Sequence, residues 1–181
     1  MAMTDVGLIS HFIALVGFAA LAIAAAFRPR RRIGYVLALA ATLTALWGLV
    51  FVLAVRGDAL ALRSLTLAET VRTTAWIAFL IALLRPGWQL DERTRISFII
   101  AGGVGFVVAL QLVLDALGVA SSAYQVERTV VGQLFIISRL TVAMAGLVMA
   151  HNLYLQSAAA GRSGGRMLAI GIGGILVYDL N

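Results

Sequence analysis

The sequence predicts an all-α fold, a polytopic transmembrane helix bundle of five full spans plus a sixth truncated at the C-terminus, with the N-terminus outside. Three observations predict it. Five successive apolar runs are each long enough to cross a bilayer, the composition is 62% hydrophobic and only 12% charged, and the connections are too short to hold a soluble domain.

A hydrocarbon core of about 30 Å takes about 20 apolar residues at 1.5 Å each. The first run, Val6 to Phe27, follows Met1 to Asp5, which carries no basic n-region, and it exceeds a signal-peptide h-region, so it reads as an uncleaved helix. The second, third, fourth and fifth are Ile33 to Val55, Leu65 to Leu84, Ile96 to Val119 and Val130 to Leu155. No proline interrupts them, because Pro29 and Pro86 both fall between runs. The sixth starts at Met167 and meets Asn181 without a charge, turn or cap, so the natural chain is expected to continue through it. The whole of 1–181 then reads as a single transmembrane domain, incomplete at its C-terminus.

Orientation comes from arginine. All 14 basic residues are Arg. Arg28, Arg30, Arg31 and Arg32 follow the first run, Arg85, Arg93 and Arg95 the third, and Arg162 and Arg166 the fifth. Arg56, Arg63 and Arg128 lie on the other side, so the larger group is expected to be cytoplasmic. Tyr35, Trp88 and Tyr154 fall at the same cytoplasmic ends, where amphipathic rings favour the interface. Arginines confined to short loops read as topology signals, and no nucleic-acid partner is expected despite the net charge of +6.

The composition also excludes chemistry. Without lysine there is no Schiff base, and without cysteine no disulfide, thiolate nucleophile or thiolate metal site. His11 and His151 lie near opposite faces, and no His-x-x-Glu spacing offers a metal centre, so no catalytic residue, metal or cofactor is expected. Gly102, Gly103 and Gly105, and Gly171, Gly173 and Gly174, lie inside apolar runs with no preceding strand, which favours close helix packing over a dinucleotide loop.

Polar residues within the runs are the informative ones. His11 lies about 7 Å inside the outer end of its span, Glu69 and Arg72 about 6 and 10 Å inside theirs, and Asp115 about 6 Å, with Gln111 a turn deeper and Gln133 near the outer end of span five. Glu69, Arg72 and Trp76 are spaced three and four apart on one helix face. They form either a local ion pair with snorkelling or the wall of a ligand-accessible cavity. Trp47, like Trp76, sits deep in its span, where helix packing is the expected role and a ligand-facing wall the alternative. Arg139 falls near the bilayer centre, where a charge costs on the order of 2.5 to 3.5 kcal/mol. Asp179, beside Tyr178, reaches a similar depth from the other direction, so the two make either a structural salt bridge or a switching pair. His11, Glu69, Arg72, Trp76, Asp115, Arg139, Tyr178 and Asp179 are the ligand-binding or switching candidates.

The stretch Glu69 to Leu80 (ETVRTTAWIAFL) resembles an element of the N-terminal membrane region of PrsK-type sensor histidine kinases of the PEP-CTERM/exosortase system. Thr44 to Leu49 (TALWGL), Asn152 to Tyr154, Arg166 and Gly171 to Leu180 (GIGGILVYDL) are similar to further segments of the same region, in the same order. The resemblance implies a sensory domain in the bacterial inner membrane, linked to envelope exopolysaccharide and protein sorting. It also implies a kinase region outside this sequence, through which the protein would form a homodimer and address a response regulator. This chain carries neither a phosphoacceptor histidine motif nor an ATP-lid glycine motif, so no catalytic residue carries over. The rival reading is a small transporter or membrane-complex assembly subunit, for which intramembrane charges mark a pathway. It lacks a visible inverted repeat and a proline-broken span.

Overall fold

A computed structural model of the chain describes residues 2–27, 32–84, 92–120, 130–161 and 163–178. They form six helices: α1 (Ala2–Ala26), α2 (Arg32–Val55), α3 (Ala59–Leu84), α4 (Glu92–Ala120), α5 (Val130–Ala159) and α6 (Ser163–Tyr178), with no strand among the described residues. Four stretches are long and apolar enough to cross a membrane: Gly7–Ala26, Ile33–Val55, Ala59–Leu84 and Gly132–Ala159. The arginine clusters around Pro29 and Pro86, with Arg28, Arg30, Arg31, Arg85 and Trp88, lie outside the described residues, as do Arg128 and Arg162.

Four helices, α1, α3, α4 and α6, begin four or more residues before the apolar runs that mark them, and the starts of α3 and α6 follow glycine turns. Gly57 adopts a positive φ of 91° and ends α2, with Asp58 N–H bonded to Leu53 O (3.1 Å) and Gly57 N–H to Ala54 O (3.0 Å), the paired bonds of a Schellman motif. Asp58 then caps α3 by accepting from Ala61 N–H at 2.7 Å. Back-to-back caps leave almost no loop, so α3 begins at Ala59 rather than Leu65, and Arg63 lies in the helix. Gly161, at φ 67°, closes α5 in the same left-handed conformation, and α6 starts at Ser163, four residues before Met167.

The chain divides into two compact units. The first comprises Met1–Ala75 with Asp115–Ser122. In it α1 packs against α2, and the contact is tightest at Gly48, where a Cβ would lie 3.3 Å from His11 O and 3.4 Å from Leu15 Cβ. The second comprises Trp76–Leu114 with Ala123–Asn181, and in it α5 packs against α6. Leu176, fully buried, occupies the hollow left by Gly146, where a Cβ would meet its Cδ1 at 2.8 Å. Gly165 lies against Ser157 in the same way. Among the described residues the two glycine clusters meet no neighbouring helix. No described atom lies within 4 Å of a Cβ at Gly102, Gly103, Gly105, Gly171, Gly173 or Gly174. They stand on outward faces beside exposed Phe106 and Ile170, so the expectation of close packing there is corrected.

The outward faces are unlike those of a water-soluble domain. Ile9, Phe12, Ile13 and Val16 on α1 and Leu134, Ile136, Ile137 and Leu140 on α5 face outward, while Arg72, Gln111 and Asp115 are buried. Outward apolar helix faces together with these buried polar side chains suit lipid as the surrounding solvent. Hydroxyls follow the same logic: Thr42, Thr44, Thr74 and Thr141 each donate to the carbonyl four residues earlier, at 2.7 to 2.8 Å. This is a membrane protein with an all-helical fold.

Candidate functional site

In the first unit a histidine and an arginine meet at one indole. Gly48 lets α1 approach α2 closely enough for the His11 imidazole to stack on Phe51, with ring centroids 3.5 Å apart and 9° between planes. The same imidazole stands 5.0 Å from Trp47, tilted by 49°. On α3, the Arg72 guanidinium carbon lies 4.0 Å from the Trp47 centroid. Trp47 on α2 therefore joins α1 to α3, with a histidine and an arginine against one ring system.

His11 is fixed at its other edge too. Its Nδ1 lies 2.7 Å from Gly7 O, and since a carbonyl only accepts, Nδ1–H is the donor. Ser10 supports the contact, donating to Gly7 O at 2.9 Å with its hydroxyl 3.3 Å from Nδ1. The basic lone pair of the neutral ring is thus on Nε2.

Arg72 is 1% exposed, as is Asp115 in the same unit, and Glu69 is half-buried one turn before Arg72. Removing a guanidinium from water costs several kcal/mol. A desolvated cation–π contact returns on the order of 2 kcal/mol, and acids within the same unit supply opposite charge. Among the described residues no group of three or more His, Cys, Asp or Glu could hold a metal ion.

The other candidates belong to the second unit. Trp76 is buried and meets Phe79 edge-on at 5.9 Å. Arg139 is half-buried, its guanidinium 5.6 Å from the ring of Phe135, one turn earlier on its own helix. Tyr178 is 49% exposed, and Asp179 lies outside the described residues, as does its pairing with Arg139. Gln111, 1% exposed, accepts a hydrogen bond from the Ser138 hydroxyl and so ties α4 to α5.

Sequence reading missed Trp47 and Phe51 as site residues, though their four-residue spacing on one face of α2 was a usable signal, and it missed Ser138. Comparison with protein-family models, with curated proteins and with solved structures finds no match to this chain. Its own geometry carries the functional reading.

Proposed function

We propose that this chain is the membrane-embedded sensory domain of a two-component sensor histidine kinase of the PrsK type, which serves envelope exopolysaccharide production and PEP-CTERM protein sorting. It lies in the bacterial inner membrane with its N-terminus outside, crosses it five times, and enters it a sixth time at α6. The kinase region is a separate part of the protein and pairs two copies. The observation that carries the reading is the Trp47 junction, where a buried arginine and a histidine from two helices meet one ring on a third. A sensory role requires the junction to pass between two packings, and a coupling of about 1 to 3 kcal/mol is enough to bias an output domain. The resemblance of Glu69 to Leu80 to an element of that family's membrane region supports the same reading.

Two tests apply. An open reading frame that runs past Asn181 without a histidine kinase core removes the reading. In the full-length protein, reconstituted in proteoliposomes with ATP, Glu69→Gln and Arg72→Gln are expected to change autophosphorylation several-fold while expression and membrane insertion stay near the parent. Variants that fail to insert, or that phosphorylate like the parent, make the cluster structural and end the sensory claim.

A further inference from the structure

We propose that the turn joining α2 to α3 is a docking site for an anionic phospholipid, whose phosphate is held by Arg56 and Arg63 while Leu60 and Leu62 lie among the first carbons of its acyl chains. The site is separate from the Trp47 junction, and neither reading rests on the other.

The argument starts from length. At 1.5 Å per residue the 24 residues of α2 and the 26 of α3 run about 35 and about 38 Å, against a hydrocarbon core of about 30 Å. The excess suffices to carry the charged turn, with Arg56 and Asp58, past the hydrocarbon edge into the headgroup layer. The back-to-back caps at Gly57 and Asp58 leave no polar loop over the joined helix ends, so the first turn of α3 meets that layer directly.

The exposed side chains there are of two kinds. Leu60 is 72% and Leu62 52% exposed, on either side of buried Ala61, and Arg56, Asp58 and Arg63 are exposed with them. Leu60 and Arg63 are three residues apart, which places an isobutyl group and a guanidinium on one outward face of α3. Arg63 lies about 5 Å farther along the helix than Leu60, but helical side chains lean toward the N-terminus, so its long stem reaches back to the level of the turn. Water around this turn would solvate two leucines, and hydrocarbon would strand three charges. The boundary where phosphates meet acyl chains suits both.

Charge selects the lipid. Asp58 commits a carboxylate oxygen to Ala61 N–H at 2.7 Å. Two guanidinia against one carboxylate leave one net positive charge at the turn, and the positive end of the α3 dipole lies at the same place. A phosphodiester without an ammonium group, as in phosphatidylglycerol, complements that charge, and its oxygens match the guanidinium fork. Phosphatidylcholine adds a cation that the turn repels. A soluble anion gains nothing from Leu60 and Leu62, so the occupant is a lipid.

The chain contains no cysteine, so a single fluorophore at Ala59→Cys, exposed on the first turn of α3, reports on this site alone. In nanodiscs of phosphatidylcholine, a minor fraction of phosphatidylglycerol carrying a nitroxide on its upper acyl chain is expected to quench the label about five-fold more than equally labelled phosphatidylcholine, the enrichment that one net charge at an anionic surface supplies. Arg56→Gln with Arg63→Gln is expected to abolish the difference, and each single variant to reduce it, which serves where the double variant does not insert. Arg166→Gln, on α6 in the other unit, is expected to leave the difference intact. Inorganic phosphate at millimolar concentration is also expected to leave it intact. Equal quenching by the two lipids in the parent, a difference that survives loss of both arginines, or one that falls as far in Arg166→Gln overturns the site. Loss of the difference on adding inorganic phosphate makes the occupant a soluble anion and overturns the lipid assignment.

Discussion

Arg72 and Trp47 form the contact that makes a buried guanidinium tolerable within an apolar helix: the arginine Cζ stands 4.0 Å from the indole centroid. The ring is the larger of the two aromatic groups on that face of α2, and it presents its π cloud to a charge that lipid could not solvate. Trp47→Leu is therefore expected to destabilise the protein by about 2 to 4 kcal/mol, counting both lost packing and lost cation–π attraction, and Trp47→Phe by less. In a double-mutant cycle with Arg72→Met, measured by steric trapping in bicelles, the combined variant is expected to be less destabilised than the two singles added together. Strict additivity would mean that the ring and the charge do not interact.

The glycines of α6 differ in what surrounds them. A Cβ at Gly165 would lie 2.8 Å from Ser157 Cβ, whereas one at Gly171 meets no described atom within 4 Å. Gly165→Ala is expected to cost about 1 to 3 kcal/mol through overpacking, and Ser157→Gly to restore part of it. Gly171→Ala should be neutral or slightly stabilising because alanine is the better helix former. Equal thermal stability of the two alanine variants in detergent would contradict the packing of α5 on α6.

Gln111 and Ser138 join α4 to α5 inside the second unit through a hydroxyl donating to the amide oxygen. Ser138→Ala is expected to cost about 1 kcal/mol, the scale of interhelical hydrogen bonds in membranes. Gln111→Leu in the same background should add little further loss, since the amide has already lost that partner. A large additional loss would show that Gln111 is held chiefly by other contacts.

Topology has its own test. Single cysteines replacing Ser121 and Ser163 should react with an impermeant maleimide from opposite sides of the membrane, Ser121 from outside. Reaction from the same side would reverse or break the proposed arrangement.

The helices themselves were legible in the sequence because length and apolar content decide them: a helix lies at each of the six apolar runs, and four described stretches, on α1, α2, α3 and α5, are long and apolar enough to cross a membrane. The start of α3 was misplaced because hydropathy ignores capping: Leu60 and Leu62 are apolar but exposed, and Gly57 with Asp58 fixes the boundary instead. The glycine clusters misled for a related reason. Composition says that a helix could approach at Gly102 or Gly171, but whether one does depends on the partner face, which a single sequence does not display. Within the site, His11, Arg72 and Asp115 were visible as polar residues in apolar runs. Trp47 was not, because an aromatic residue in a membrane helix is ordinary until something charged is found resting on it.

Gly48 has a mechanical consequence. It meets α1 at His11 and Leu15, close to the midpoint of a helix that runs from Ala2 to Ala26, and a second glycine, Gly34, meets Ala25 O at 3.8 Å near the end of the same helix. A larger side chain at Gly48 would therefore wedge the two helices apart at the turn that presents His11 to Phe51, so the smallest residue on α2 sets how far the ring stack can open.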